Sequence, residues 1–559
     1  MHLKARQILY LVLRRLLPAP NRPTKKTAPL QVRCGVSMQA PLAKTMRLKR
    51  QHEFRFLNVP KGLSRGKVDW ASADMTRLWR YNLHYFDYIL DAGRSVDNIS
   101  DLISDWIHSN PLGRGEGWEP YTMSLRIVNW VKVFLRQDFR EHVQALWVES
   151  LYQQARWLES NIEYHILANH YLKNGKALFY AGVFFEGAEA DRWLRKGSKI
   201  LIEEAHEQIL PDGGHFERSP MYHSIAVEDY LDTLNLMAGY ECSVSPAEVD
   251  FLRSKTTKAL DFLHDICLPD GSIPLFNDSA LGIAPSFAAL AEYAGRLFGY
   301  ERPSCVQGLQ VSTHDSSGYF VIRNLDDMLV VDCGEVGPNY QAGHAHCDTL
   351  SFELALDGRP MIVDSGVHDY ENSEMRRYVR STRAHNTAMV DGCEQSEVWG
   401  IFRVARRARP ISATIETIGE SKARFSGSHD GFVRLPGRPV HMRTIEYEAD
   451  GIWTVVDTFS GKGNHQVDSF IHLHPDLNAH CDGSIISLAF APDHVVSQIE
   501  VQGASEIALE KGWYCPEFGK RQENVVIRLS SSGVLPQSLG YRIVKRCVPH
   551  SAVSLTASH

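Results

Sequence analysis

No stretch of this 559-residue chain approaches the roughly 20 consecutive apolar residues of a membrane-spanning helix, so the sequence predicts no transmembrane segment. Closely paired cysteines are missing too. Cys34, Cys242, Cys267, Cys305, Cys333, Cys347, Cys393, Cys481, Cys515 and Cys547 are scattered without one CxxC. That excludes a zinc ribbon or a thioredoxin-like motif and reads as mostly buried small apolar side chains. Acidic residues are nearly absent from one region: residues 1–67 hold sixteen Lys and Arg against the single acid Glu53, about +15. With −6 for the whole chain, the remaining 492 residues carry about −21. A clear secretory signal is also lacking. In "MHLKARQILYLVLRRLLPAP" only Ile8 to Leu13 is free of charge before Arg14-Arg15, short of the roughly 7–15 apolar residues a signal needs. An amphipathic surface helix fits that stretch as well. The basic leader reads either as a poorly ordered tail or as a contact for anionic surfaces such as phospholipid or nucleic acid.

What the chain does have is two halves of different hydrophobic period. From about residue 70 to 300 apolar residues recur at helical spacing, as in Leu125, Val128, Val131 and Leu135. Further helical runs cover 142–185, broken near Ser160-Asn161, then 221–240 and 248–268. Loops such as "NPLGRGEGW", "PDGGHFERSP" and "LPDGSIPLFND" separate them. Antiparallel helix pairs stacked side by side imply an α/α toroid or a solenoid, and a toroid offers a long cleft suited to a polymer. After about residue 310 the period becomes two, in short runs such as "GYFVIRN", "DMLVVDCG" and "GIWTVVDTFSG". Asp357-Gly358 between two apolar runs signals a hairpin. Many short strands without intervening helices predict an antiparallel β-sandwich. The expected organisation is α+β multidomain: leader 1–67, helical domain 68–305, sandwich 306–559.

The sandwich half carries "GHAHCDTLSFELALDGRPMIVDSG", Gly343 to Gly366. On a strand His344 and His346 would face one way, roughly 7 Å apart. Asp364 follows the hairpin, and "STRAHNTAMVDG" adds His385. Imidazole and carboxylate together suit zinc, although HxH alone is weak: "IHLHP" holds a second pair, His472 and His474, read as structural. Cys347 would point to the opposite strand face as a buried thiol. Spacing leaves open whether both histidines bind metal or one moves a proton. In the helical half, Asn169-His170, Tyr222-His223 and "LWRYNLHYFDY" (78–88) stand out. Amide, phenol and imidazole are the groups needed to abstract a proton next to a carboxylate.

These pieces, "NH" at 169–170, "SPMYH" at 219–223, the Gly343–Gly366 stretch and "RSTRAHNT" at 380–387, resemble the heparinase II/III superfamily of polysaccharide lyases and related alginate lyases, in order from about 70 to 550. The resemblance implies an incomplete (α/α) toroid followed by an antiparallel β-sandwich, and β-elimination at a uronic acid. It implies that Asn169 and His170 neutralise the uronate carboxylate, that Tyr222 is the base, that His344 is an acid/base, and that His346, Asp364 and His385 hold structural zinc. Arg218 is the candidate to stabilise a Tyr222 phenolate. Tyr370, and Arg383 from the cluster Arg376, Arg377, Arg380 and Arg383, are candidate substrate contacts. The implied partner is an anionic uronate polysaccharide rather than nucleic acid. "LWRYNLHYFDY" looks like relatives tied to bacterial surface-polysaccharide production, which favours a capsule, exopolysaccharide or O-chain. The resemblance implies periplasm or cell envelope, while the leader and the cysteines leave cytoplasm open. Two other readings stand: a glycoside hydrolase using Glu217 and Asp229, and a non-catalytic polysaccharide-binding or assembly protein.

Overall fold

The computed structural model describes residues 3–16, 30–43, 53–62, 67–91, 93–240, 244–304, 308–448, 450–491 and 494–546. Cys242, Cys305 and Cys547 lie outside them. Of the other cysteines, Cys267, Cys333, Cys347 and Cys515 are buried and Cys34 is exposed, all as free thiols. Among the described residues no helix is long and apolar enough to cross a membrane.

The chain opens with helix α1 (Ala5–Leu16) and the hairpin β1 (Glu53–Phe56) and β2 (Val59–Gly62). Phe54 and Phe56 enter the helical core, 5.1 Å from Tyr88 and 5.0 Å from Trp79. This hairpin of the leader is therefore packed on the helical core. The helices follow: α2 (Arg77–Tyr85), α3 (Val96–Ser109), α4 (Pro120–Phe134), α5 (Ala145–Ser160), α6 (Ala168–Phe184), α7 (Ala188–Gln208), α8 (Pro220–Ala238), α9 (Pro246–Ile266) and α10 (Phe287–Phe298). The break expected near Ser160-Asn161 separates α5 from α6. Neighbouring helices pair as in a toroid, most tightly α6 with α7. There Gly182 lies where a Cβ would meet the Leu194 backbone at 2.4 Å, and Gly197 faces Phe179 at the same distance.

The sheet half is antiparallel in every ladder described. It begins with a five-stranded sheet: β3 (Leu309–His314), β4 (Tyr319–Asn324), β5 (Asp327–Asp332), β6 (Ser351–Leu356) and β7 (Arg359–Ile362). Asp357 and Gly358, both with positive φ, form the two-residue turn between β6 and β7. This sheet is buried on both faces. Tyr319, Val321, Met328 and Val330 pack into the helical core, while Phe320, Ile322, Leu329 and Val331 pack into the sandwich. Strand alternation thus explains why β4 and β5 read as continuous apolar runs. Behind lie a four-stranded sheet that includes β8 (Ala388–Val390) and an eight-stranded sheet from edge strand Pro410–Ile418 to edge strand Asn478–Asp482. The functional side chains collect where the first sheet meets the helices.

Candidate active site

Two helix starts define one wall. Leu167 and Ala168 hold positive φ, 62° and 52°, so the chain turns sharply into α6 and sets Asn169 and His170 in its first turn. His170 Nδ1 lies 3.1 Å from Glu163 Oε1 and its ring 4.4 Å from that of Tyr121. Burial works against charge on His170, but the Glu163 carboxylate outweighs it and raises the pKa above the ordinary value. The Asn169 amide oxygen is buried without a partner. At the second start Ser219 caps α8 by accepting from Tyr222 N (3.2 Å), and Pro220 takes the first helical position. The Ser219 hydroxyl also donates to Asp278 O (2.7 Å), tying this helix to the loop opposite.

Tyr222 Oη stands 3.3 Å from Tyr370 Oη, and the Tyr222 ring lies 4.0 Å from that of His344. Exposed Phe402 packs 5.1 Å from Tyr370. Burial first, then the neighbouring phenol of Tyr370, pushes the Tyr222 hydroxyl well above its ordinary pKa. At rest it is a neutral phenol.

The sheet-side wall differs from the strand reading of the sequence. His344 and His346 sit in the loop before β6, not on a strand. They still converge, because both reach one carboxylate: His344 Nδ1 to Asp278 Oδ2 and His346 Nε2 to Asp278 Oδ1, each 2.9 Å. Arg376 donates to both Asp278 oxygens, and its guanidinium lies 4.9 Å from the Tyr370 ring. Despite burial, Arg376 and the two histidines hold Asp278 well below the usual carboxylate range. On its other side His344 Nε2 lies 3.5 Å from Glu217 Oε2. Glu217 is buried with neither oxygen hydrogen-bonded, and burial lifts its pKa. Glu217 also feels the His170 charge and the Asn169 backbone, so it connects the two walls.

Behind Asp278, His346, Asp348 and His385 offer ligand atoms within 4.8 Å of one another. His346 Nδ1 and His385 Nε2 are both buried without a partner, as two ligand nitrogens would be before a cation binds. Asp364, the acid named from the sequence, accepts from His385 Nδ1 at 2.7 Å, and Asp348 stands in the ligand cluster. The donor set of imidazoles and carboxylates fits a divalent cation such as zinc.

Two expected site residues are elsewhere. Arg218 does not face Tyr222: its φ is 56° and its guanidinium donates to the carbonyls of Phe216, Ser316 and Ser317. The cation beside the phenol pair is Arg376. Arg383 points outward, half exposed, to Glu510 at 3.3 Å. Arg377 turns to Asn372, and Arg380 is spent on backbone carbonyls including Ala345 and Ile401. His472 donates to Arg383 O, a structural role. The hydrolase pair does not form either. Asp229 is locked by Lys173 and Lys176 at 2.6 and 2.9 Å and held below the usual carboxylate range. Sequence reasoning missed Asp278 and Asp348, and missed Glu163 and Glu217 as partners of His170 and His344. The visible trace of Asp278 was its place in "LPDGSIPLFND", after an Asn able to take the positive φ of 57° found at Asn277.

Comparison with known proteins agrees with this layout. A family model described as heparinase II/III N-terminus matches residues 42–298, and one described as heparinase II/III-like, C-terminal, matches 307–547. A heparin-sulfate lyase of Pedobacter heparinus is 27% identical over 319 residues, 52% of this chain and 47% of that protein. One of Bacteroides thetaiotaomicron is 25% identical over 380 residues, 58% of this chain and 54% of its own length. The chain thus spans about half the length of the curated relatives it matches. Among solved structures, a heparinase III superposes with TM-score 0.71 at 18% identity, covering 96% of this chain and 89% of that one. A heparan sulfate lyase from Pedobacter heparinus gives 0.57 at 20% identity, covering 98% and 88%. With helical and sheet halves each matched by their own model, the chain belongs to the heparinase II/III family.

Proposed function

We propose that this chain is a polysaccharide lyase that cleaves a uronic-acid-containing polysaccharide by β-elimination. The observation that carries the reading is the meeting of Asn169, His170, Tyr222, His344 and Tyr370 around Glu217 at the junction of the halves. The names of the relatives, heparin-sulfate lyases, support it. The C5 proton of a uronate is too weakly acidic to leave unless the adjacent carboxylate is neutralised. The Asn169 amide and a protonated His170 do this, helped by the positive ends of α6 and α8. His344, its Nδ1 proton held by Asp278, takes the C5 proton at Nε2. The C–H electron pair becomes the C4–C5 double bond as the C4–O bond breaks. The neutral Tyr222 phenol gives its proton to the departing oxygen. Once the product leaves, water returns the proton from His344 to the Tyr222 phenolate and resets the site. The resemblance gives Tyr222 the part of the base; where the two groups leave from opposite faces, its neutral resting phenol suits it to the part of the acid. Where both groups leave from one face, Tyr222 would take and give the proton in turn.

Zinc at His346 and His385, with a carboxylate from Asp348 or Asp364, would supply a fixed positive charge that holds the sheet-side loops. A surface polysaccharide of a bacterium is the substrate class we favour. Purified protein is incubated with heparan sulfate, hyaluronan, chondroitin, alginate, glucuronan and such a surface polymer, following the ultraviolet absorbance of the unsaturated uronate. Absorbance lost in Tyr222→Phe and in His344→Ala supports the reading. Chain shortening without absorbance replaces elimination by hydrolysis, and no cleavage of any polymer replaces catalysis by binding.

A further inference from the structure

Helix α1 is packed inside out. An ordinary surface helix turns its apolar stripe to the core and its charges to water. Here the polar stripe faces inward. Gln7 is buried and donates to Ile166 O (3.1 Å), and Arg6 donates to Tyr171 Oη (3.0 Å) while lying over the Tyr164 ring. Tyr10 lies 4.4 Å from Tyr164, and Arg14 Nη1 is 2.7 Å from His165 Nε2. Lys4, just before the helix, pairs with Glu207 and lies over the Tyr340 ring. The opposite stripe, at spacings of three and four, is Leu9, Val12 and Leu16, with relative exposures of 54%, 46% and 75%. Three large apolar side chains on one face of one helix are a patch, not scattered exceptions.

The polar contacts of α1 hold it in this orientation, so the apolar stripe is presented to something outside. The charge of the sequence it belongs to says what. Arg15 stands exposed beside the stripe, and the leader carries sixteen basic residues against one acid although the rest of the chain is strongly acidic. An apolar stripe beside exposed Arg15, in a leader rich in Lys and Arg, matches an anionic lipid surface, where apolar side chains enter the acyl boundary and cations meet the headgroups. We infer that α1 docks this protein on an anionic phospholipid surface through Leu9, Val12 and Leu16. This inference is independent of the lyase reading. It has a consequence for it: α1 grips residues 165–171, the segment that turns into Asn169 and His170, so the docked protein holds this wall of the cleft close to the membrane.

The test is flotation of the full chain with vesicles of phosphatidylethanolamine and phosphatidylglycerol, and with vesicles of phosphatidylcholine alone. Binding to the anionic vesicles is expected, weakened at least tenfold by Leu9→Gln/Val12→Gln/Leu16→Gln and by high salt. The triple variant changes only exposed side chains, so its circular dichroism and thermal unfolding should match the parent. Absence of binding by the parent overturns the inference, and so does equal binding by the triple variant. Equal binding to phosphatidylcholine removes the anionic headgroup from it. If the parent binds no vesicle but light scattering shows a dimer that the triple variant loses, the stripe is an interface between copies and the inference fails.

Discussion

Replacing Asp278 by Asn removes one negative charge from beneath four donor atoms: His344 Nδ1, His346 Nε2 and two nitrogens of Arg376. Asp278 is wholly buried and Arg376 is 1% exposed, so water cannot take the carboxylate's place. Removing one partner of a buried ion pair costs about 3–5 kcal/mol, because the other charge stays buried. The Asn amide worsens this by turning an N–H toward one of the donors. Asp278→Asn should therefore lose about 3–5 kcal/mol of stability in urea unfolding followed by tryptophan fluorescence. Removing both charges in Asp278→Leu/Arg376→Leu should be less damaging than the two single losses added together, by about 2 kcal/mol or more. Activity should separate from stability. Arg376→Leu leaves Asp278 on His344, whereas every variant without the carboxylate frees the His344 tautomer. Loss of an orienting carboxylate behind a catalytic imidazole lowers kcat by up to ~10⁴-fold in serine proteases, and a loss of at least ~10²-fold is expected here. Additivity of the Leu variants within about 0.5 kcal/mol would refute the charge-hub reasoning. Near-normal turnover in Asp278→Asn would refute the role given to His344.

The other predictions concern single groups. His170 sits above its ordinary pKa because Glu163 outweighs burial, so its charge is complete below about 6.5 and lost as pH rises through the raised value. Glu163→Gln should move the alkaline limb of kcat/KM to lower pH, and an unmoved limb would take His170 out of carboxylate neutralisation. Glu204, 3% exposed, is lifted by burial from 4.5 to about 8. Its contribution is present below about pH 4.5 and drains away toward pH 8, roughly 3 kcal/mol by pH 7. Glu204→Gln should flatten that slope in unfolding curves, and identical slopes would contradict it. Elemental analysis should find about one zinc per chain, lost in His385→Ala and His346→Ala. Retention of the metal in both would exclude the proposed set.

The fold was legible because its signal is repetitive. Helical spacing over tens of residues and a long succession of short apolar, β-rich runs broken by turn residues each carry many redundant votes, and Asp357-Gly358 can do little but turn. The site was half legible. Asn169, His170 and Tyr222 could be named because they stand in the motifs that carry the resemblance, and the fold sets Tyr222 beside Tyr370, 3.3 Å between hydroxyls. Arg218 and Arg383 do not join them, since a cationic residue near a motif in sequence carries no information on direction. Arg218 turns away because its own backbone is left-handed. His344 and His346 converge for a reason strand geometry could not supply, a carboxylate 66 residues upstream of His344.

That carboxylate points to a wider pattern in how the site is built. Non-glycine residues with positive φ stand directly before three of its parts: Ala168 before Asn169, Arg218 before the Ser219 cap that sets Tyr222, and Asn277 before Asp278. Left-handed backbone at Ala or Arg costs about 1–2 kcal/mol and persists only where surrounding contacts over-determine it. Those contacts are present. Asn277 Nδ2 donates to Arg218 O (2.9 Å), its Oδ1 accepts from His346 N (3.1 Å), and Tyr319 Oη donates to the same Arg218 carbonyl (2.9 Å). Asn277 thus joins the turn before Tyr222 to the loop of His344 and His346, bridging the helical and sheet halves with one side chain. The strain and the bridge are two aspects of one device: each half supplies groups that are aimed only when the other half is docked. A cleft assembled in this way needs both halves in register.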